Sequence, residues 1–214
     1  MFKFIIIIPC LIVIVATYSS AGQINNYVGV SAGLIMPSSS ILADRNNSSA
    51  SLSYDSTGTA VSAFLGHQFG VGLRVEEEVF YKRAVANKFT YSGITTDIDS
   101  NVWSIGAMSN LYYDWYHNVE VMDGYSFSPY IGAGIGFARV NMSEVAINSN
   151  AIWNSGSDTS LAYQVCIGSG VRITKDIILD ISYRYFDTKD IKIDQIKTGF
   201  SNHNVILGIR YVFR

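Results

Sequence analysis

The chain has 214 residues, 49% hydrophobic and only 15% charged, with a formal net charge of −2. That length suits one domain, and a charged fraction well below the usual quarter points to a chain that is buried or membrane-embedded. A slightly acidic balance without a basic run argues against a nucleic-acid surface.

Residues 4–16, FIIIIPCLIVIVA, form an apolar core too short for the ~20 residues a spanning helix needs. Lys3 precedes it and Ser19-Ser20-Ala21 follows as a small-x-small cleavage site, so residues 1–21 read as a secretory signal peptide and residues 22–214 as the mature domain. A lipoprotein reading through Cys10 is disfavoured by Pro9 before it. The mature chain keeps a single cysteine, Cys166, so no internal disulfide is expected and the residue reads as a small packed side chain. His67, His117 and His203 lie far apart, with no C-x-x-C or H-E-x-x-H nearby, and no metal or cofactor is expected.

From there the chain alternates with period two, the mark of half-buried strands. Eight such segments follow in order: 27–36, 59–69, 73–82, 102–115, 129–140, 160–172, 177–186 and 203–213. In the first, Val28, Val30, Ala32, Leu34 and Met36 oppose Gly29, Ser31 and Gly33. In the third, Leu73, Val75, Val79 and Tyr81 oppose Arg74, Glu76, Glu78 and Lys82. The fourth sets Trp103, Ile105, Ala107, Leu111, Tyr113 and Trp115 against Ser104, Gly106, Asn110, Tyr112 and Asp114. The fifth, PYIGAGIGFARV, places Gly132, Gly134 and Gly136 on one face and Ile131, Ala133, Ile135 and Phe137 on the other. This spacing fits neither phosphate-binding glycine motif.

Segments of about ten alternating residues, apolar on one face and polar on the other, predict an all-β, eight-stranded antiparallel up-and-down transmembrane β-barrel. The connectors agree. Residues 37–58, 83–101, 141–159 and 187–202 are long and polar, giving four long outer loops, while 69–72 and 174–177 are short turns. The connector 116–128 is long where a short one belongs. Aromatics gather towards strand ends, as interface girdles do.

An eight-stranded barrel is narrow and filled by its own side chains. The inward charges Arg74, Glu76, Glu78, Lys82, Asp180, Arg184 and Arg210 are therefore expected to pair with one another as a plug rather than line a pore. The strand-five glycines are expected to make room for inward groups such as Arg74, Arg184 and Arg210. Glu77 stands out of phase, facing lipid near the middle of the third segment.

PYIGAGIGFARV, LAYQVCIGSGVRIT, IILDISYRYFD and the ending NVILGIRYVFR resemble the opacity-protein-like surface antigens, an OmpA-type group of small outer-membrane barrels. The resemblance covers residues 22–214 and is strongest from 101 onward. It implies a monomer in the bacterial outer membrane, amid outer-membrane lipid and lipopolysaccharide, with loops exposed at the cell surface. It further implies that Gly208, Tyr211 and Phe213 form the signal read by the barrel assembly machinery, although Arg214 follows where such chains usually stop. Adhesion, host interaction or envelope integrity is the activity it implies, with a host receptor or matrix as partner.

Two alternatives come from other classes. A rim enzyme, a lipid A hydrolase or protease, would use Ser201 with His203, or Asp97 with Asp99, but adjacent spacing alone does not make a triad. A narrow channel is the other, against the size of the barrel. The non-enzymatic reading puts function in the loops, where Ile41, Leu42, Ile152 and Trp153 are apolar side chains available for contact.

Overall fold

The computed structural model describes residues 25–213 apart from 39, 44–48, 55–56, 70–71, 92–93, 116–118, 123–124, 144, 148–149, 154, 190 and 194–195. Residues 1–21, expected from sequence to be a signal peptide, and Arg214 lie outside these residues. Eight strands build the body: β1 (Asn25–Pro37), β2 (Gly58–Gln68), β3 (Leu73–Tyr91), β4 (Ile94–Asp114), β5 (Tyr125–Met142), β6 (Gly156–Arg172), β7 (Ile177–Thr188) and β8 (Asn202–Phe213).

Each pairs antiparallel with its sequence neighbour, and β1 pairs with β8 from Asn26↔Phe213 to Pro37↔Asn202. That last pairing closes the sheet into a barrel and removes its edges. Burial is inverted relative to a soluble protein. Ile135, Ile167 and Leu207 are 58–61% exposed, whereas Arg74 and Glu76 are 2% exposed. Only a lipid-facing exterior makes that arrangement stable.

The expected phases hold, but the strands are longer than the alternation predicts. β3 and β4 run on to Tyr91 and from Ile94, so most of the connector 83–101 is a β-hairpin, with one register shift between Ala86 and Lys88. The inward residues there are small, Ala84, Ala86 and Ser100, so the contrast between faces that marks a strand is weak. Connector 116–128 is likewise structured: Val119–Met122 pairs with the start of β5. The short turn between β2 and β3 holds Gly72 at φ 83°, a conformation that favours glycine.

Glu77 does face outward, and no bulge is involved. The register runs unbroken through Glu77↔Leu65 and Glu77↔Ser109. Ser109 Oγ donates a 2.7 Å hydrogen bond to its carboxylate from the neighbouring strand. This satisfies one of its acceptors locally.

Candidate functional site

Inside the barrel, inward side chains stack in three layers. At the periplasmic end Tyr27, Phe64, Ile178 and Val212 pack together. At the opposite end Ile35, Ala84, Val102, Val140, Phe186, Ile191 and Phe200 belong to one apolar cluster. The charged layer, contributed by β3, β4, β7 and β8, adjoins both clusters: Arg74 donates to Tyr27 of the first, and Lys82 lies over Phe186 of the second.

In that layer Arg74 Nε donates to Asp114 at 3.1 Å, and Nη1 donates to Tyr27 at 3.2 Å and Glu76 at 3.4 Å. Its guanidinium also lies 4.3 Å from the Tyr112 ring centroid and 4.8 Å from that of Tyr130. Glu76 accepts hydrogen bonds from the hydroxyls of Tyr27 (2.9 Å) and Tyr112 (3.2 Å). Glu78 accepts from Arg184 at 2.9 and 3.0 Å, and from Asn110 and Gln164 at 3.1 Å each. Arg210 and Asp180 form a bidentate pair at 2.5 and 2.8 Å. Lys82 donates to Asn202 Oδ1 at 3.3 Å and sits 3.5 Å over the Phe186 ring.

Four acids, Glu76, Glu78, Asp114 and Asp180, thus meet three arginines, Arg74, Arg184 and Arg210, while Lys82 is held by Asn202 and the Phe186 ring. A buried set of this kind is tolerable because each charge has a partner or a ring face. The seven charges expected from sequence lie in this layer. Asp114, Tyr27, Asn110, Tyr112 and Gln164 complete it. Their signal was parity: Asp114 falls in phase with Asn110 and Tyr112, and Tyr27 with Gly29.

The strand-five glycines serve different neighbours from those expected. A Cβ at Gly132 would strike the Tyr112 ring, one at Gly134 the Asn110 amide, and one at Gly136 the Ala107 carbonyl. They make room for the groups that hold Arg74 and Glu78, not directly for arginines. Gly170 is the glycine against an arginine, Arg210. Cys166 packs with Tyr112 and Tyr130.

Above the barrel the connectors form a second sheet system. Ser40–Ala43 pairs with Ser49–Ser53, which pairs with the top of β3 through Ala50↔Tyr91 to Ser53↔Lys88. Ile196–Thr198 joins Ser40–Ala43 through Lys197↔Ala43 and also pairs with Ile191–Ile193. Connectors one and four are therefore laid edge to edge on connector two, the β3–β4 hairpin. Val145–Ile147 and Asn150–Trp153 form a separate hairpin in connector three. Ile41, Leu42, Ile152 and Trp153 lie on these short strands; their side chains are outside the described residues.

A family model for the outer membrane protein beta-barrel domain matches residues 6–213. The chain belongs to this family. It is 29% identical over 121 residues, 50% of the chain and 48% of the relative, to the outer membrane protein PagN of Salmonella typhimurium. The chain spans about half the length of the curated relatives it matches. Among solved structures it resembles neisserial surface protein A, with 21% identity, a TM-score of 0.51 and coverage of 88% of this chain and 97% of that one. It resembles the Escherichia coli outer membrane protease OmpT with a TM-score of 0.51 at 8% identity, covering 92% of this chain and 99% of that one. These two likenesses concern the fold.

A barrel of this family resides in the bacterial outer membrane, and its apolar exterior places it amid outer-membrane lipid. Tyr113 with Trp115 and Tyr81 with Trp103 mark the two interfaces, at centroid distances of 6.0 and 6.2 Å. Of the residues considered for catalysis, Ser201, His203 and Asp97 are described, and the Asp99 side chain lies outside the described residues. His203 Nδ1 is 2.6 Å from the Tyr183 hydroxyl. Asp97 stands opposite Lys88 in the β3–β4 hairpin. A nucleophile and its base must share a hydrogen bond, and among the described residues Ser201 and His203 share none.

Proposed function

We propose that this chain is a non-enzymatic surface protein whose extracellular face binds a host-cell or matrix component. The observation that supports it is the joining of connectors one and four to connector two, the β3–β4 hairpin, in one sheet. Loops on a rigid scaffold are where recognition is placed, and here the loops themselves are scaffolded. The lumen is filled by its own side chains: Arg74, Arg184 and Arg210 are ion-paired, and Lys82 is held by Asn202 and the Phe186 ring. In this reading Ile41, Leu42, Ile152 and Trp153 supply apolar contacts, and Gly208, Tyr211 and Phe213 on β8 direct assembly.

The test uses residues 22–214 in lipid nanodiscs, presented to cultured host cells and to immobilised matrix. One version is intact; another has residues 40–53 and 145–153 replaced by short turns. Binding by the intact form and its loss on shortening is the expected result. Equal binding by both would remove the loops from the account. Hydrolysis of lipid A abolished by Ser201→Ala would favour the rim-enzyme reading.

A further inference from the structure

On the outer face of the barrel, just beyond the upper aromatics, two arginines flank a tryptophan. Arg83 follows Tyr81 on β3, and Arg139 follows Phe137 on β5, each two residues on and in the same outward phase. The strand between them, β4, carries Trp103. Arg83 stands opposite Trp103 across one pairing, Trp103 opposite Asn141 across the next, and Arg139 opposite Ile105. Two strand spacings and two residues of offset separate the arginine Cα atoms by roughly 12 Å. Both side chains are exposed.

Neither guanidinium forms an ion pair with a described carboxylate. Each is held by a neutral neighbour instead. Arg83 Nε and Nη2 donate to Asn101 Oδ1 at 3.2 and 2.7 Å. Arg139 Nη2 donates to Ser157 Oγ at 2.8 Å. This fixes both guanidiniums while other N–H donors remain on Nη1 of each. The lumen, by contrast, supplies a carboxylate for three of its four bases. Two unpaired, positioned cations at an aromatic girdle stand at headgroup depth, where the available anion is phosphate, and arginine matches phosphate in fork geometry.

We propose that Arg83, Trp103 and Arg139 form a lateral site for the phosphorylated headgroup of an outer-leaflet lipid. The two guanidiniums bind the phosphate oxygens, and Trp103 packs against the headgroup at the boundary of its acyl chains. The site lies on the barrel wall and is independent of what the loops bind.

The full mature chain is folded in nanodiscs containing bisphosphorylated lipid A, or phosphatidylcholine alone, and retained lipid is counted by native mass spectrometry after detergent exchange. Basic side chains near a membrane surface contribute about fivefold each, so R83Q/R139Q is expected to retain lipid A roughly 30-fold less well. R83K/R139K, which keeps the charge, should retain most of it, and R139Q alone should lose about fivefold. Dephosphorylated lipid A should bind wild type and R83Q/R139Q alike. Inorganic phosphate added during exchange should not displace the lipid, because the site takes its ligand from the membrane. Heat-shifted mobility on gels checks folding of each variant. Retention of lipid A by folded R83Q/R139Q at the wild-type level, or equal retention of the dephosphorylated lipid by wild type, would overturn the proposal.

Discussion

Removing the Glu78 carboxylate is the sharpest perturbation of the sealed lumen. Glu78 accepts two bonds from Arg184 and one each from Asn110 and Gln164. Glu78→Ala strips the carboxylate from a guanidinium whose side chain is 10% exposed. Breaking a buried pair on one side costs about 3–5 kcal/mol, because the other charge is left uncompensated. The upper half of that range applies here, since two amides lose an acceptor as well, although Gln164 Nε2 keeps its 2.7 Å bond to Asn110 Oδ1. The folding equilibrium should fall by roughly three to four decades. Replacing both partners, Glu78→Leu with Arg184→Leu, should cost less than Glu78→Ala alone, because no charge is stranded. The assay is reversible urea unfolding in small lipid vesicles, followed by tryptophan fluorescence and heat-shifted mobility. Glu78→Ala within about 0.5 kcal/mol of wild type, or a double replacement as damaging as the single, would refute the account of the plug.

Further expectations concern the two faces of the sheet. Ile135→Arg should destabilise the barrel by about 2–4 kcal/mol in the same titration, since the side chain faces lipid at mid-depth, whereas a polar substitution at Trp115 near the rim should cost far less. Glu77→Leu should stabilise by about 1–2 kcal/mol by removing a lipid-facing carboxylate, and an unchanged midpoint would mean that the Ser109 bond already offsets the cost. Gly136→Ala should be worse tolerated than Gly170→Ala, since the new Cβ would meet the Ala107 backbone in one case and a movable arginine in the other; the opposite order would contradict the strand-five packing. Deleting residues 208–214 should leave the chain in the periplasm, and normal delivery to the outer membrane would place the assembly signal elsewhere.

Most of the barrel was legible because lipid and lumen impose opposite chemistry on alternate residues. On β3, Arg74, Glu76, Glu78 and Lys82 could share only one face, and Val75, Val79 and Tyr81 the other. That pattern stops at the membrane boundary. Above it the inward face is built of small residues, Ala84, Ala86 and Ser100, and the outward face turns polar at Arg83 and Asn101, so hydrophobic contrast fades while backbone pairing continues. Pairing partners within the lumen were less visible than its membership. Parity places Glu78 and Arg184 inside, but which base meets which acid depends on shear and stagger between strands 106 residues apart. Glycine on the inner face of β5 announced close contact without naming Tyr112 and Asn110 as the groups admitted. The Arg83–Trp103–Arg139 group lies on three strands and becomes a cluster only once their register is fixed.

The account rests on a lumen closed by paired charges and by apolar packing at both ends, which leaves function to the outer surface. Planar-bilayer recording of the refolded mature chain tests this most directly. The prediction is no steady conductance above the bare bilayer for wild type, with ion flow appearing only in a variant that opens both the charged layer and the apolar cluster, such as Glu78→Ala with Phe186→Ala. A stable, repeated conductance step from the wild-type chain would contradict the closed lumen and make this protein a channel.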